Sequence, residues 1–337
     1  QRGADFAMWS LVDRLWHRDA DDKATLDDQW GALVAGQALA ETVDPGLARG
    51  DEAQDEIFER VRHWQVHLLQ SGLLSAIERA RSGDALAKMG DPRFDLNHWG
   101  LPKEPLWGFI DIPEDGFIMG DDKDDNAKPQ HKLTLPRYFI ARYLTTVAQF
   151  KTFVEASGHK PENADSLRDP PNRPVRYVTW HEAIKYCDWL TGQLKNAPDT
   201  PEPLATLLRK EQWRITLPGE AQWEKASRAT DGRAFPWGDD FDKENANMGE
   251  TGIGTTSAVG AFPKGASPYG LLDTSGNVWE WCLSKYKPYP YKNDDGRNTV
   301  DKSNDARVLR GGAFNNETRN ARCAYRNRNN PNNRNRN

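Results

Sequence analysis

Residues 271–282 read LLDTSGNVWEWC, and the residue pattern of this stretch predicts its local structure. Trp279 and Trp281 alternate with Glu280, which predicts a strand whose two Trp side chains share one face while Glu280 lies on the other. Large aromatic side chains are usually buried in folded proteins. We therefore predict that both Trp residues belong to the core.

The same stretch concentrates oxygen atoms. Carboxylates stand at Asp273 and Glu280, and the backbone carbonyls of Gly276 and Val278 lie between them. A hard cation such as calcium prefers carboxylate and carbonyl oxygens. Two interpretations stay open from the residues alone: a calcium site, or carboxylates that accept hydrogen bonds from loop amides.

Upstream, residues 1–105 are predicted to form a small helical region. The segment TLDDQWGALVAGQALAETV begins at Thr25, a plausible N-cap, and the segment DEIFERVRHWQVHLLQSGLL is expected to stop at Gly72. His63 and His67 have a metal-binding spacing, but without an accompanying carboxylate we interpret them as ordinary helix residues. The apolar positions with helical spacing on the first of these segments are Leu26, Trp30, Leu33, Val34 and Leu39.

From about residue 106 onward, short apolar runs, frequent Gly and Pro, and long loops replace the helical pattern. Two amphipathic helices are predicted within this part, one after Thr146 and one after Thr179. Because regular elements are few, this part of the chain needs support from buried Trp side chains, ions or polar networks.

Composition excludes several classes of protein. With 37% hydrophobic residues and 13 Trp among 337 residues, the chain is too rich in aromatic residues to be disordered. A net charge of −5 gives no general reason to bind a polyanion. Three Cys argue against a disulfide framework and fit a reducing compartment. Since no apolar run resembles a membrane helix or an export signal, we predict a cytoplasmic protein without a membrane partner.

Residues 315–337 consist largely of Asn and Arg, with ten Asn and six Arg. Such a stretch could be a disordered tail, a nucleic-acid-binding arm, or a surface whose residue types are not set by packing. Cys323, Ala324 and Tyr325, together with the preceding RVLRGGAF, indicate an anchored segment rather than a tail. Arg side chains could bind phosphates, but a single aromatic residue offers little stacking for nucleic acid. A binding surface is therefore the favoured interpretation.

Seven motifs occur in order between residues 117 and 316: FIMGDD, PQHKLTLPRYFIARYLTTVAQFKTFV, PVRYVTWHEAIKYCDWLT, RITLPGEAQWEKASR, FPWGD, YGLLDTSGNVWEWC and RVLRGGAFNN. In these motifs the chain resembles the formylglycine-generating enzyme, or sulfatase-modifying factor, family. The resemblance implies an α+β, loop-rich C-type lectin fold of the formylglycine-generating enzyme type over residues 106–337, preceded by the small helical region. It also implies calcium at the positions matching Asp273, Gly276, Val278 and Glu280. A second family calcium site matches Asn247 and Met248, although Thr251 stands where an acid is expected.

The chemistry of the generating enzymes is expected to be missing. Those enzymes use a cysteine pair, which binds copper, just after the RGG motif, and here Asn315 and Asn316 occupy the position of the first thiol. A carboxamide is neither a nucleophile nor a soft metal ligand. We therefore predict that the chain is not an enzyme and holds no copper. A related branch, the iron-dependent sulfoxide synthases, needs a third ligand beside His63 and His67, so no iron is expected, but an enzyme of either type stays an alternative.

A further branch of the same fold, the variable proteins of diversity-generating retroelements, ends in a stretch similar to RGGAFNNETRNARCAYRNRNNP. In those systems template adenines are miscopied, so Asn codons can become codons for many other residues. The resemblance implies a receptor-like, non-catalytic ligand-binding protein with a variable region at about residues 313–337. The family's final strand, which contains Gly-Phe-Arg, is not found up to Asn337. The candidate variable, ligand-binding positions are Asn315, Asn316, Asn320, Asn327, Asn329, Asn330, Asn332, Asn333, Asn335 and Asn337.

The expected partner is a protein or another macromolecular ligand, with nucleic acid as the alternative. The N-terminal helices resemble the segment that precedes this domain in bacterial signalling proteins of the NTPase type. Fusion or association with such a module is therefore expected, although no GxxxxGK[ST] loop occurs in the chain.

Overall fold

A computed structural model describes residues 2–15, 19–21, 23–42 and 52–334. Within these residues, helices, short strands and long irregular segments combine, and the predicted α+β fold with a helical N-terminal region is confirmed. The helices are α1 Arg2–Leu15, α2 Leu26–Thr42, α3 Glu52–Ser71, α4 Ala76–Met89, α5 Val147–Ser157, α6 Trp180–Asn196, α7 Leu204–Arg209 and α8 Glu220–Arg228. The strands are β1 Phe94–Asp95, β2 Leu101–Pro102, β3 Phe109–Ile112, β4 Asp115–Met119, β5 His131–Leu135, β6 Tyr138–Ala141, β7 Glu280–Lys285, β8 Arg307–Arg310 and β9 Asn327–Asn329.

Helices α1 to α4 pack into a bundle around Trp64 of α3, which is fully buried. The helix starts agree with the predictions. As predicted for the N-cap Thr25, its Oγ1 accepts a hydrogen bond from Asp28 N at the start of α2. The predicted helices α5 and α6 begin after capping boxes formed by Thr146 and Thr179. None of the helices in the described residues is long and apolar enough to cross a membrane.

The buried face of α2 differs from the predicted one. Gln65 of α3 donates from Nε2 to the Ala32 carbonyl at 2.7 Å, and a Cβ on Gly36 would lie 2.2 Å from the Gln65 side chain. Because Gly36 lets α3 approach this closely, α2 turns its small residues inward. Of the five apolar positions with helical spacing, three are exposed: Leu26, Trp30 and Val34.

Four small antiparallel sheets organise the rest of the chain: β1–β2, β3–β6, β4–β5 and the three-stranded β7–β8–β9. In the last sheet, Trp281 of β7 pairs with Leu309 of β8, which pairs with Asn327 of β9. Since paired residues share one face of a sheet, these three side chains form a row. The Asn-rich segment is thereby joined to the strand that contains the Trp pair.

A buried charge network supports the irregular segments beneath α8. Both carboxylate oxygens of Glu224 are used: Arg310 Nη2 lies 2.5 Å from one, and Arg228 Nη1 lies 2.9 Å from the other. The Gly120 amide also donates to Glu224 at 2.7 Å. These groups are fully or almost fully buried. The network is the polar support that a fold with few regular elements requires.

The helical region packs closely on the part of the chain that follows it. Arg79 Nε donates to the Ala261 carbonyl at 2.7 Å, and a Cβ on Gly83 of α4 would lie 2.5 Å from the Cβ of Ala258. Only a residue without a side chain fits at that point of α4. The predicted division into domains at residues 105 and 106 stays a prediction.

Candidate functional site

Arg326 anchors the Asn-rich segment to the fold. Its guanidinium lies 2.5 and 2.9 Å from the two carboxylate oxygens of Glu220, in the first turn of α8. It also donates to the carbonyls of Asn126 and Lys287, and the Tyr289 ring centroid lies 3.9 Å away. Arg326 and Glu220 are both buried. A bidentate, buried ion pair with its remaining donors satisfied fixes the position of the backbone around it.

Further contacts hold the backbone on either side of Arg326. Arg310 Nη2 donates to the Cys323 carbonyl at 2.6 Å. The Trp180 amide, at the start of α6, donates to the Pro331 carbonyl at 3.0 Å. Cys323 and Pro331 are themselves buried. The segment between them is therefore attached at both ends to well-packed elements.

The predicted variable side chains lie at the surface, both between these anchors and on either side of them. The eight described candidates, which we call the Asn surface, are all exposed or half-buried, while Asn335 and Asn337 lie outside the described residues. Several of their hydrogen bonds are local, for example from the Asn330 amide to Asn329 Oδ1 at 2.9 Å. The Asn surface consists of Asn315, Asn316, Asn320, Asn327, Asn329, Asn330, Asn332 and Asn333.

Aromatic side chains border the Asn surface near Asn327. Trp279, Trp281 and Leu309 line a concavity of about 30 Å³, and Leu309 is the strand partner of Asn327. The Tyr325 ring lies 6.1 Å from that of Trp279. Fixed aromatic side chains therefore lie beside polar side chains at the surface.

The prediction that Trp279 and Trp281 belong to the core is wrong, since both are half-buried. Trp223, by comparison, is only 1% exposed. The alternation in the sequence is compatible with either a core face or an accessible face of β7. Only the segments that pack against β7 decide between the two cases. One such contact is the hydrogen bond that Trp281 Nε1 donates to the Val178 carbonyl at 3.2 Å. No signal in the sequence distinguishes the two cases.

The predicted calcium ligands Asp273 and Glu280 are brought together beside β7. Burial raises the pKa of Glu280 to about 8, with a further contribution from the charge of Asp273, whose own pKa burial raises to about 6. Glu280 Oε1 is buried and has no hydrogen-bond partner of good geometry among the described residues. The Trp223 indole beside it acts against the rise in the pKa of Glu280. Asp273 Oδ2 accepts from the Gly260 amide at 2.6 Å, so the loop-amide interpretation also holds in part. Two buried carboxylates with an unpartnered oxygen fit a hard cation.

The remaining predicted calcium ligands are Gly276, Val278, Asn247 and Met248. Gly276 lies in the turn between the two carboxylates, where a Cβ would be 2.3 Å from the Asn247 carbonyl oxygen, and Val278 follows it. The carbonyl of Met248 accepts from the Thr251 amide at 3.1 Å. Asn247 Oδ1 has no partner among the described residues. The assignment of Asn247 and Met248 to a second calcium ion stays a prediction.

The three Cys are buried, and burial raises the pKa of the Cys187 thiol to about 12 and of the Cys323 thiol to about 11. Such thiols are poor nucleophiles. Across residues 2–15, 19–21, 23–42 and 52–334, no three His, Cys, Asp or Glu side chains are grouped so that they could hold a metal. His63 contacts its own helix, with Nδ1 2.8 Å from the Glu59 carbonyl oxygen, and His67 lies edge-on to Trp64.

Comparison with known proteins identifies relatives of the chain. Residues 101–337 match the model of the sulfatase-modifying factor enzyme 1-like domain family. The formylglycine-generating enzyme of Thermomonospora curvata is 26% identical over 281 residues, covering 63% of this chain and 84% of that protein. Hercynine oxygenase of Mycolicibacterium smegmatis is 28% identical over 253 residues, covering 60% of this chain and 53% of the oxygenase. The chain thus spans about half the length of that second relative.

A solved structure shares the fold. PvdO from Pseudomonas aeruginosa superposes with a TM-score of 0.53 and 22% sequence identity, covering 67% of this chain and 89% of PvdO. At this identity the likeness concerns the fold alone.

The prediction that the chain is not an enzyme is wrong on these comparisons. The two relatives, which cover 63% and 60% of this chain, are named as a formylglycine-generating enzyme and an oxygenase. The missing cysteine pair bears on thiol chemistry only, and the family also contains a member named as an oxygenase. The ordered motifs, the small sheets with long loops and the match over residues 101–337 together lead to one conclusion: the chain belongs to the sulfatase-modifying factor enzyme 1-like domain family, with its C-type lectin-like fold of the formylglycine-generating enzyme type.

Proposed function

We propose that the chain binds a protein or another macromolecular ligand through the Asn surface, and that a diversity-generating retroelement rewrites its Asn codons. One observation carries the proposal. All eight described Asn candidates are exposed or half-buried, whereas Cys323, Ala324, Arg326 and Pro331 between them are buried. Positions that must accept many side chains are thus interleaved with positions that hold the backbone.

The energetics favour this division of roles. Substitution at exposed positions usually changes the free energy of unfolding by less than about 0.5 kcal/mol. Breaking a buried ion pair such as Arg326–Glu220 usually costs about 3–5 kcal/mol. Sequence variation confined to the Asn surface would therefore leave the fold intact, which a diversified binding protein requires.

The bordering aromatic side chains support a role in recognition. Trp279, Trp281 and Tyr325 are half-buried beside Asn327. Large aromatic groups supply contact area with little loss of conformational entropy, and adaptable polar groups around them supply hydrogen bonds. We infer that the aromatic group provides constant contacts while the Asn positions set specificity.

Nucleic acid fits this surface less well, because three Arg side chains beside it in the described residues already have partners. Arg322 forms ion pairs with Asp121 and Asp124 at 2.7 and 3.1 Å. Arg326 is buried on Glu220, and Arg328 lies over the Tyr286 ring at 4.5 Å. Phosphate binding requires cations that are free to exchange their partners.

We further propose that Asp273 and Glu280, with the carbonyls of Gly276 and Val278, hold a structural calcium ion. The ion would neutralise two buried carboxylates at the start of β7, next to Trp279 and Trp281. The unpartnered Glu280 oxygen supports this assignment. Calcium would then stabilise the strand on which the aromatic border of the Asn surface depends.

The proposal places the protein in the cytoplasm, with helices α1 to α4 linking it to a signalling NTPase module. Helix α2 presents Leu26, Trp30 and Val34 to solvent. An exposed apolar stripe of this kind is a common feature of surfaces that contact another protein.

A pair of libraries tests the proposed function. One library varies the eight codons of the Asn surface, and the control library varies eight exposed positions of α3 and α6. Members of both should melt within a few degrees of the parent, but only the first should yield binders when each is selected against the same panel of proteins. Equal yields from the two libraries, or widespread unfolding in the first, would contradict the proposal.

The retroelement is tested separately in the surrounding DNA. We expect a reverse transcriptase gene and a near-identical template repeat that differs from the coding sequence at adenines. Comparison of gene copies from many cells should show changes confined to the Asn codons. A locus that lacks both the transcriptase and the repeat would remove diversification from the proposal and leave ligand binding to be judged by the libraries.

A further inference from the structure

The segment between α4 and β3, residues 90–108, which we call the connector, holds a histidine between two carboxylates. His98 Nδ1 lies 2.8 Å from Asp95 Oδ2, and His98 Nε2 lies 2.6 Å from Asp199 Oδ2. Asp95 ends β1 within the connector, whereas Asp199 follows α6, 101 positions from His98. We call these three residues the His98 clasp. The clasp joins the connector to the end of α6.

Both contacts of the clasp require a protonated imidazole. An ionised carboxylate accepts hydrogen bonds and donates none, and a neutral imidazole carries only one N–H. With a neutral ring, one nitrogen lone pair would face a carboxylate oxygen at hydrogen-bond distance. The two short contacts at opposite ring nitrogens therefore indicate that His98 is the imidazolium ion.

The charges around His98 favour the same state. Hydrogen bonds to Asp95 and then Asp199 raise the pKa of His98. The hydrogen bond from His98 lowers the pKa of each carboxyl group, and for Asp95 the Asn97 amide and the charge of Lys103 contribute as well. Because both carboxyl groups stay ionised above about pH 4, His98 is the member of the clasp that changes charge near neutral pH.

A metal ion does not explain the arrangement. The ligands of one ion converge on a single point, whereas the two carboxylates lie at opposite nitrogens of the ring. In the described ranges, no group of three His, Cys, Asp or Glu side chains is placed to hold a metal. The imidazole itself is the bridging group.

Loss of the proton would release Asp199 rather than Asp95. Asp95 Oδ1 also accepts from the Asn97 amide at 3.0 Å, and its carbonyl accepts from the Gly100 amide at 2.8 Å. Asp199 is 56% exposed and has no other side-chain partner in the part of the chain that the structure describes. Together with Pro198 it forms an exposed turn. The contact that depends most on the proton is thus the long-range one.

The backbone beside the clasp adopts conformations that bulky residues rarely adopt. Trp99, Leu106 and Trp107 have φ angles of 56°, 55° and 51°. Such conformations persist where the surrounding structure holds them, and they concentrate at functional and switch regions. Trp99 follows His98 in the chain, and the Trp107 ring lies 4.8 Å from the His98 ring. The clasp is therefore one of the contacts that hold the connector in this conformation.

We propose that the His98 clasp is a proton-dependent switch of the connector, which fastens the connector to the end of α6 when His98 is protonated and frees Asp199 when it is neutral. Since the folded-state pKa of His98 is raised above 6.5, the stability that the clasp contributes is fully present below about pH 6.5 and is lost as the pH rises through the folded-state pKa. The connector then keeps its other attachments, such as the hydrogen bond from Arg93 Nη1 to the Val259 carbonyl at 2.8 Å. The switch depends neither on the Asn surface nor on calcium.

Nuclear magnetic resonance on the 337-residue chain with labelled His tests the proposal. The variant His98→Gln identifies the His98 signals. Both ring nitrogens of His98 should carry protons at pH 6, and the titration midpoint of His98 should be higher in the parent than in Asp199→Asn. The amide signals of Asn97, Gly100 and Thr200 should shift with the same midpoint as His98. Equal midpoints in the parent and Asp199→Asn, or amides that do not follow His98, would overturn the proposal.

Thermal unfolding gives a second measurement. Asp199→Asn should lower the melting temperature at pH 5.5 and leave it nearly unchanged at pH 9.5. In the His98→Gln background, the effect of Asp199→Asn at pH 5.5 should fall to less than half. The control Asp188→Asn, which removes an exposed carboxylate of α6, should have the same small effect at both pH values. An effect of Asp199→Asn that is equal at the two pH values would show a fixed surface contact and contradict the switch.

Discussion

Replacing Arg326 by Met separates the anchoring role of the Asn-rich segment from its surface role. Arg326→Met keeps much of the side-chain volume and removes the charge. Glu220, which is fully buried, would lose the contacts at 2.5 and 2.9 Å. It would keep the Tyr289 hydroxyl at 3.2 Å and Arg310 Nη1 at 3.5 Å. The carbonyls of Asn126 and Lys287 would each lose a donor.

The expected loss follows from these contacts. Removing one partner of a buried ion pair costs about 3–5 kcal/mol, because the other charge stays buried. Each carbonyl that loses its hydrogen bond adds about 1 kcal/mol. Since Arg310 remains near Glu220 and Met fills part of the space, we expect a total loss of about 4 kcal/mol in the free energy of unfolding. At about 2–4 °C per kcal/mol, the melting temperature should fall by about 8–16 °C.

Urea and thermal unfolding measure this effect, and Asn329→Ala is the matched control on the same segment. The control should change the free energy of unfolding by no more than about 0.5 kcal/mol. In the double variant Glu220→Gln/Arg326→Met, the loss should be smaller than the sum of the single losses by about 2 kcal/mol, since the two residues are in contact. A loss below about 1 kcal/mol for Arg326→Met, or an equal loss for Asn329→Ala, would refute the anchoring argument.

Two further predictions concern helix packing and calcium. Gly83→Ala should lower the free energy of unfolding by about 1–3 kcal/mol despite the better helix propensity of Ala, because its Cβ would lie 2.5 Å from that of Ala258. Gly192→Ala, where no atom lies within 4 Å of the added Cβ, should raise it by up to about 1 kcal/mol. Similar thermal shifts for the two variants would contradict the packing argument. For calcium, the pKa of Glu280 is raised to about 8 and that of Asp273 to about 6, so the chelator-treated folded protein binds more protons than the unfolded chain. Its melting temperature should therefore fall as the pH rises from about 4.5 to 8. Calcium should reverse that fall, and Glu280→Gln should reduce it; a melting temperature that does not respond to calcium at pH 8 would contradict the assigned site.

Helix positions and caps were readable from the sequence because they depend on local interactions. Thr25, Thr146 and Thr179 accept hydrogen bonds from amides three residues later, and Thr25 was predicted as an N-cap from its position. The face that α2 buries was not readable in the same way. It depends on the close approach of Gln65 to Gly36, two residues on different helices.

In the candidate site, too, some features were predictable from the sequence and others depended on the tertiary structure. The Asn positions were identified from their pattern and from a family resemblance, and that pattern requires no knowledge of the fold. The half-buried state of Trp279 and Trp281 was missed, since alternation along a strand does not show which face meets solvent.

The sequence by itself determined the elements whose causes are local: helix starts, the order of the seven motifs, and the alternation of Asn with anchoring residues. Tertiary structure alone decided which charges became partners. Arg326 and Glu220 are separated by 106 positions and meet because α8 and the segment after β8 pack together. Burial and pKa shifts arise from such long-range contacts, which are set by the whole fold and by no single stretch of residues.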